Sequence, residues 1–252
     1  MKYEIKKFKD GQVAAKIKEH GNLDIKIRGN SYEDLFSVAS IKEAWDSENS
    51  ENKNLISKLT IFCLIGQRSD RRFNKSESFD LKVICNFINT MNFDKVFILH
   101  PHSNICLALI NNSEKISHLS FVEKAFNKIG NPILISPDAG AYKSTHSISE
   151  FLNADLVASN KVRIDGVPKI SIQGDVRNKE CLIVDDLADG GRTFKFLAEE
   201  LKKQGAVKVF LYVTHGQFNY GFEDLKESID LIYCTNSYRD IDDSFVEQFK
   251  IL

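Results

Sequence analysis

The chain has 252 residues, 42% of them hydrophobic, enough apolar material for one large α/β unit or two small domains with real cores. Its 34 Lys and Arg stand against 35 Asp and Glu, a formal net charge of −1, so no global field draws it onto nucleic acid or an anionic membrane. No apolar stretch approaches the ~18 residues of a spanning helix, the opening "MKYEIKKFKDG" lacks the apolar core of a secretory signal, and Cys63, Cys85, Cys106, Cys181 and Cys234 stand singly with no C-x-x-C pair, so a cytoplasmic protein with reduced core thiols is expected.

In chain order, "WDSENSENKN" (45–54) reads as a solvated loop or helix end, and "KLTIFCLIG" (58–66) as a strand. "SFDLKVICNFINTMN" (78–92) spaces its apolar residues by three and four, as an amphipathic helix does. "KVFILHPH" (95–102) is again a continuous apolar run, and the polar "NNSEKIS" (111–117) marks the expected boundary between two halves, 1–115 and 116–252. A helix "HLSFVEKAFNKIG" (118–130), a strand in "PILISPDAG" (132–140) and a strand "CLIVDD" (181–186) follow. A helix "TFKFLAEELKKQG" (193–205) and strands "KVFLYVTHG" (208–216) and "LIYCTN" (231–236) complete the pattern. Continuous apolar strands alternating with helices predict α/β halves with parallel sheets flanked by helices. Ligands of such sheets sit at the carboxyl ends of the strands, which is where His100, His102, Asp138, Asp185, Asp186 and His215 fall. Any one of these alone is ordinary loop punctuation; several on one edge point to a site, with His215 read as structural.

The most informative stretch is "CLIVDDLADGGRTF" (181–194), in which an apolar run meets two aspartates and turns through Gly190-Gly191 into a helix near Thr193. A glycine turn at a helix N-terminus aims backbone N–H groups at one point, and the helix dipole favours an anion there. Thr193 adds a hydroxyl, and the paired carboxylates can only accept hydrogen bonds, as a ribose diol would require. The segment reads as a ribose 5-phosphate cradle.

This acidic pair followed by D-G-G-R-T resembles the phosphoribosyl-diphosphate motif of type I phosphoribosyltransferases and of ribose-phosphate diphosphokinases. Five further segments resemble the diphosphokinases. "LISPDAGAYKS" (134–144) is similar to their S-P-D-x-G segment and "QRSDRR" (67–72) to their R-Q-D-R-R segment. "VTHGQF" (213–218) with "CTNS" (234–237) is similar to their T-H-G and T-N pairs, and "FKDGQ" (8–12) to their F-x-D-G-E strand.

The resemblance implies two phosphoribosyltransferase type I-like halves and a homo-oligomer, a dimer or larger. It places Arg68, Asp70 and His102 at an ATP site, with Phe8, Asp10 and Gln12 reaching the adenine of a neighbouring subunit. It makes His102 and Asp138 ligands of a Mg2+ cofactor, and Lys161 and Arg163, in "SNKVRIDGVPK", the cations of a catalytic loop. Asp185, Asp186, Asp189, Gly190, Gly191, Arg192 and Thr193 become the ribose-phosphate site. The implied reaction moves the diphosphate of ATP onto a ribose-5-phosphoryl acceptor, a step that needs mostly alignment and charge neutralisation.

The departures bear on the acceptor. The chain starts almost at the F-x-D-G-E equivalent and stops at "VEQFKIL", where the family continues into a helix. Ser69 replaces a glutamine, His100 an acidic residue, and Arg192 a small one. A guanidinium beside the phosphate turn suits a second phosphate, and shortened phage-borne relatives use ADP-ribose, which implies action in a host cytoplasm. Ribose 5-phosphate and ADP-ribose are therefore both expected acceptors. Two other classes stand beside this one. A base phosphoribosyltransferase leaves "SPDAG" and "QRSDRR" unexplained, and a non-catalytic regulatory relative would be favoured by loss of Lys161 and Arg163, which are kept.

Overall fold

The computed structural model describes residues 1–52, 54–164 and 167–251, with the backbone alone over 161–164 and 167–169. The chain divides into two compact units, Met1–Ser117 and His118–Leu252.

The first unit opens with an antiparallel hairpin of β1 (Tyr3–Lys7) and β2 (Val13–Ile17). It continues with β3 (Leu23–Ile27), α1 (Tyr32–Glu48), β4 (Ser57–Ile61), α2 (Asp80–Thr90), β5 (Lys95–Leu99), α3 (Ile105–Leu109) and β6 (Ser113–Ile116). The four later strands form a parallel sheet in the order β3-β4-β5-β6. Its core joins Leu23 and Ile25, Leu59 and Ile61, and Val96 and Ile98 to Leu35, Val38 and Ile41 of α1 and Leu81, Ile84 and Ile88 of α2. The α1 set recurs at three-residue steps and the α2 set at steps of three and four, so one stripe of each helix meets the sheet. α1 begins where the Ser31 hydroxyl accepts from Asp34 N at 3.1 Å. It reaches Glu48, so the segment that begins at Trp45 is a helix end leading into a turn at 49–51.

The expected unstructured boundary at 111–117 is instead largely strand: β6 pairs with β5, and Lys95 meets Glu114 across the pair at 2.7 Å. A half-exposed edge strand needs only alternate apolar residues, and Ile116 is its single one, so polarity alone misreads it.

The second unit runs α4 (Leu119–Ile129), β7 (Ile133–Ser136), α5 (Ala139–Leu152), β8 (Leu156–Ile164), β9 (Val167–Gln173), β10 (Glu180–Ala188), α6 (Arg192–Lys203), β11 (Lys208–Gly216), α7 (Glu223–Lys226), β12 (Leu231–Thr235) and β13 (Val246–Phe249). Its seven strands lie in the order β13-β12-β11-β10-β7-β8-β9, all neighbours parallel except the β8–β9 hairpin. Alternate residues of the apolar runs enter separate cores. Cys181, Ile183, Val209, Leu211 and Val213 pack with Phe194, Leu197 and Leu201 of α6. Leu182, Val184, Phe210 and Tyr212 pack with Val122 and Phe126 of α4 and Ile148 of α5. Both faces are buried, which is why these strands read as unbroken apolar runs.

Among the described residues no helix is long and apolar enough to cross a membrane.

Leu211 is fully buried in β11, an interior strand of the second sheet beside the central β10. Leu211→Ala should destabilise the second unit by about 2–5 kcal/mol, read from the midpoint of its denaturant-unfolding transition. A loss below ~1 kcal/mol would mean the two-faced core is not packed as described.

Candidate functional site

The carboxyl edge of the second sheet is stepped. β10 pairs with β7 through Ile135–Ile183, whereas its pairing with β11 continues to Ala188–Gly216. The strand therefore does not stop at the two aspartates, because Leu187 and Ala188 still pair with β11. Asp185 and Asp186 are half-buried on this one-sided extension, and Asp186 N donates to Asp185 Oδ1 at 2.8 Å. Across the step, β7 gives way to Asp138, the N-cap of α5, whose Oδ1 accepts from Ala141 N at 3.0 Å. Ser159 fixes that approach by donating to the carbonyls of Ser136 and Pro137, at 2.9 and 2.7 Å.

These three carboxylates feel one another. Burial first, then the charge of Asp186 and, more weakly, that of Asp138, push the Asp185 carboxyl up to about 8. A buried acid beside like charges keeps its proton rather than adding a third negative charge.

After Ala188 the backbone turns through Asp189, Gly190 and Gly191, and α6 begins at Arg192, one residue before the expected start. Gly191 is the N-cap, at φ 75°, and its carbonyl accepts from Phe194 N and Lys195 N at 2.9 and 3.0 Å. A glycine cap has no side chain with which to bond the N–H groups of the first turn, and a helix N-terminus favours an anion. A Cβ on Gly191 would lie 2.8 Å from a Leu225 methyl carbon, and one on Gly190 would lie 2.6 Å from the Tyr220 ring. The Asp189 carboxylate is held by Asn219 Nδ2 at 2.7 Å, and the Asp189 carbonyl accepts from Asn219 N at 3.0 Å. Arg192 is exposed and Thr193 half-buried on the first turn. The two sequence-derived groups, carboxylate pair and glycine turn, thus lie on one continuous strand end.

In the first unit, the segment after β4 meets the one after β5 through Gln67. Its buried side chain accepts from His102 N at 3.1 Å and contacts Cys63 Sγ at 3.7 Å. Arg68, Asp70 and His102 are thereby gathered on one edge. Arg68 and His102 are exposed, and Asp70 is buried with Arg71 Nε donating to it at 3.2 Å. Sequence reading passed over Gln67, although it stands inside the quoted "QRSDRR"; no local signal marks a glutamine that bridges segments 35 residues apart. His100 takes φ 36° in this turn, and His215 is buried on β11 with Nδ1 2.9 Å from Ser237 Oγ, a structural position.

Two placements differ from expectation. "FKDGQ" is not a strand but the tip between β1 and β2: Phe8 N donates to the Gln12 carbonyl at 2.8 Å, Gln12 N to Asp10 Oδ1 at 3.0 Å, and Gly11 takes φ 88°. An Asp-Gly pair between alternating runs favours a tight hairpin over a continued strand. Phe8, Asp10 and Gln12 are all exposed there, with Lys6 Nζ 4.7 Å from the Phe8 ring centroid. Lys161 and Arg163 belong to β8 rather than to a loop, opposite Ile170 and Pro168 of β9, and their side chains lie outside the described residues. "DG" at 165–166, flanked by alternating runs, carries the same hairpin signal.

Among the described residues no three His, Cys, Asp or Glu side chains form a ready metal cage. Mg2+ binds through one or two carboxylates together with substrate phosphates and retained waters, and Asp138, with one oxygen engaged by its own helix, is a carboxylate that could serve in that way.

Comparison with known proteins points the same way. The family model described as phosphoribosyl synthetase-associated domain matches residues 137–244. A ribose-phosphate pyrophosphokinase of Pyrococcus furiosus is 29% identical over 240 residues, covering 93% of this chain and 85% of that protein. One from Buchnera aphidicola is 28% identical over 250 residues, covering 90% and 76%. The crystal structure of phosphoribosylpyrophosphate synthetase from Mycobacterium smegmatis shares the fold, with a TM-score of 0.84 over 99% of this chain and 86% of that one at 16% identity.

Because the folded state holds the Asp185 proton up to about 8 and an unfolded aspartate releases it near ~3.9, the carboxyl's contribution to stability is complete below about pH 4 and is lost as pH rises towards 8. In chelator-treated buffer, the melting temperature of Asp185→Asn minus that of the wild type should therefore grow across that window. A difference that stays flat from pH 4 to 8 would show that Asp185 titrates normally.

Proposed function

We propose, on the likeness to the ribose-phosphate pyrophosphokinases of Pyrococcus furiosus and Buchnera aphidicola, that the chain is a member of that family and transfers the β,γ-diphosphate of ATP to the anomeric hydroxyl of a ribose-5-phosphoryl acceptor, releasing AMP. The observation that carries this reading is the Asp185-Asp186 pair joined directly to the Gly190-Gly191 turn at the N-terminus of α6. The turn and helix dipole hold the 5-phosphoryl group, Thr193 adds a hydroxyl, and the aspartates take the ribose hydroxyls.

The first unit is the ATP side, with Arg68, Asp70 and His102 on the edge that Gln67 ties together. Phe8, Asp10 and Gln12, exposed at a hairpin tip, suit contact with adenine across a subunit boundary; sedimentation velocity should give a dimer or larger, and a fully active monomer would contradict that placement. In the reaction the acceptor oxygen bonds to the β-phosphorus as the bond from that phosphorus to the AMP oxygen breaks. Mg2+ would supply charge neutralisation; the resemblance assigns metal-ligand roles to His102 in the first unit and to Asp138 in the second, each a separate candidate contact. Lys161 and Arg163 are assigned to the migrating diphosphate by the resemblance of "SNKVRIDGVPK". Charge that develops on that group is stabilised only if the donors are already aligned.

Arg192, exposed on the first turn of α6, supports an acceptor carrying a second phosphate. Ribose 5-phosphate ends where the turn closes, whereas ADP-ribose continues into a phosphate that a guanidinium can grip.

Incubation with Mg–ATP and either ribose 5-phosphate or ADP-ribose, with products identified by mass, tests the reading: AMP should appear together with an acceptor heavier by one diphosphate. AMP release that needs neither acceptor would sink it. Lys161→Ala and Arg163→Ala should each lower kcat by about 10²-fold or more with little change in acceptor binding. Arg192→Ala should reduce kcat/KM for ADP-ribose by roughly tenfold while sparing ribose 5-phosphate.

A further inference from the structure

The loop after β11 is built with more care than its exposure would suggest. Gln217 N and Phe218 N both donate to the Ala188 carbonyl, at 2.8 and 3.3 Å. Asn219 holds Asp189 through backbone and side chain, at 3.0 and 2.7 Å, and Arg239 Nη2 donates to the Phe218 carbonyl at 3.1 Å. Phe218 sits in the left-handed region at φ 47°, which a bulky residue rarely adopts, with its ring buried 5.1 Å from that of Phe222. These bonds fix residues 217–219, immediately before Tyr220, and four of the five run to Ala188 and Asp189 at the phosphate turn.

Tyr220 itself is 88% exposed, yet its Cδ2 and Cε2 lie 2.6 and 2.9 Å from where a Gly190 Cβ would stand. Its ring adds almost nothing to the hydrophobic core of the second unit. It leans one edge on the glycine turn and leaves its area open to solvent. An aromatic residue kept wet beside an anion cradle, on a backbone tied down by five hydrogen bonds, is a preformed surface for a flat π system.

We propose that Tyr220 is a specificity-determining residue that stacks on the nucleobase of an acceptor continuing beyond the 5-phosphoryl group. The inference rests on the diphosphotransfer reading above and deepens it. Ribose 5-phosphate has no planar group to offer the ring, and an acceptor whose second phosphate carries a nucleoside has one. Arg192, which opens α6 two residues after Gly190, supplies the charge for that intervening phosphate.

Calorimetric titration of the full chain with ADP-ribose and, separately, with ribose 5-phosphate tests the assignment, using wild type, Tyr220→Ala and Tyr220→Phe. Tyr220→Ala should weaken ADP-ribose about five- to a hundredfold, whereas ribose 5-phosphate moves less than about twofold, within ordinary scatter. Tyr220→Phe keeps the ring and should bind as wild type does. In turnover the loss should appear in KM for ADP-ribose and not in kcat. Equal loss for both acceptors, or none for either, would overturn the assignment. Wild-type product from ribose 5-phosphate with no binding of ADP-ribose would overturn it while leaving the diphosphotransfer reading in place. Absence of product from both acceptors would remove that reading, and this assignment with it.

Discussion

The position of β10 governs the second unit. It is hydrogen-bonded to β7 on one side and β11 on the other, and its alternate residues feed two different cores. A slip of one residue would exchange Cys181 and Ile183 with Leu182 and Val184 between packings shaped for the other set, so register is held from both faces and both edges. The same register decides where pairing to β7 ends and where the one-sided stretch begins. Asp185 and Asp186 fall on that stretch, able to be half-buried without breaking either core. Site geometry here is a by-product of strand length: β7 is short, β10 is long, and the gap holds the carboxylates.

That placement creates an electrostatic conflict, since an anion cradle and three carboxylates share one sheet edge. The fold meets it in two ways. Asp185 keeps its proton up to about 8, so near neutral pH the unliganded edge carries less negative charge than its formula suggests, and a protonated carboxyl can donate as well as accept. Asp138 turns one oxygen to its own helix, where the first-turn dipole offsets its charge. Under the proposed function, a cation brought in with substrate phosphates would reverse the balance, drawing the proton off Asp185 and freeing the carboxylate to accept from a ribose hydroxyl.

How much of this could be read from residues alone follows from what each element buries. β10 and β11 are sandwiched between two cores and were plain as continuous apolar runs, with β11 bounded at 208–216 as the structure has it. β3, "LDIKI", exposes Asp24 and Lys26 on one face, so nothing in its composition separates it from a charged loop. The antiparallel pairing of β8 with β9 was hidden for another reason: "SNKVRIDGVPK" resembles a catalytic loop of the family, although its residues alternate as a strand pair does. The carboxylate pair and glycine turn were legible because their chemistry is local to ten residues. Gln67, Asn219 and Tyr220 were not, because each acts on a segment distant in sequence, and only the closed fold shows which one.

The paired glycines of the turn also separate two physical demands that a motif merges. Gly191 is required by its own backbone: at φ 75° any Cβ is strained, and Leu225 fills the space besides. Gly190 carries no such conformational demand; the atom nearest an added Cβ belongs to the exposed Tyr220 ring, which could swing aside. One glycine therefore shapes the N-terminus of α6, and the other keeps the path to it narrow and aromatic-lined. A chain that needed only a phosphate cradle could relax the second requirement. Under the stacking proposal, Gly190 leaves room for the Tyr220 ring and so serves what the acceptor carries beyond its phosphate, whereas Gly191 serves the phosphate itself.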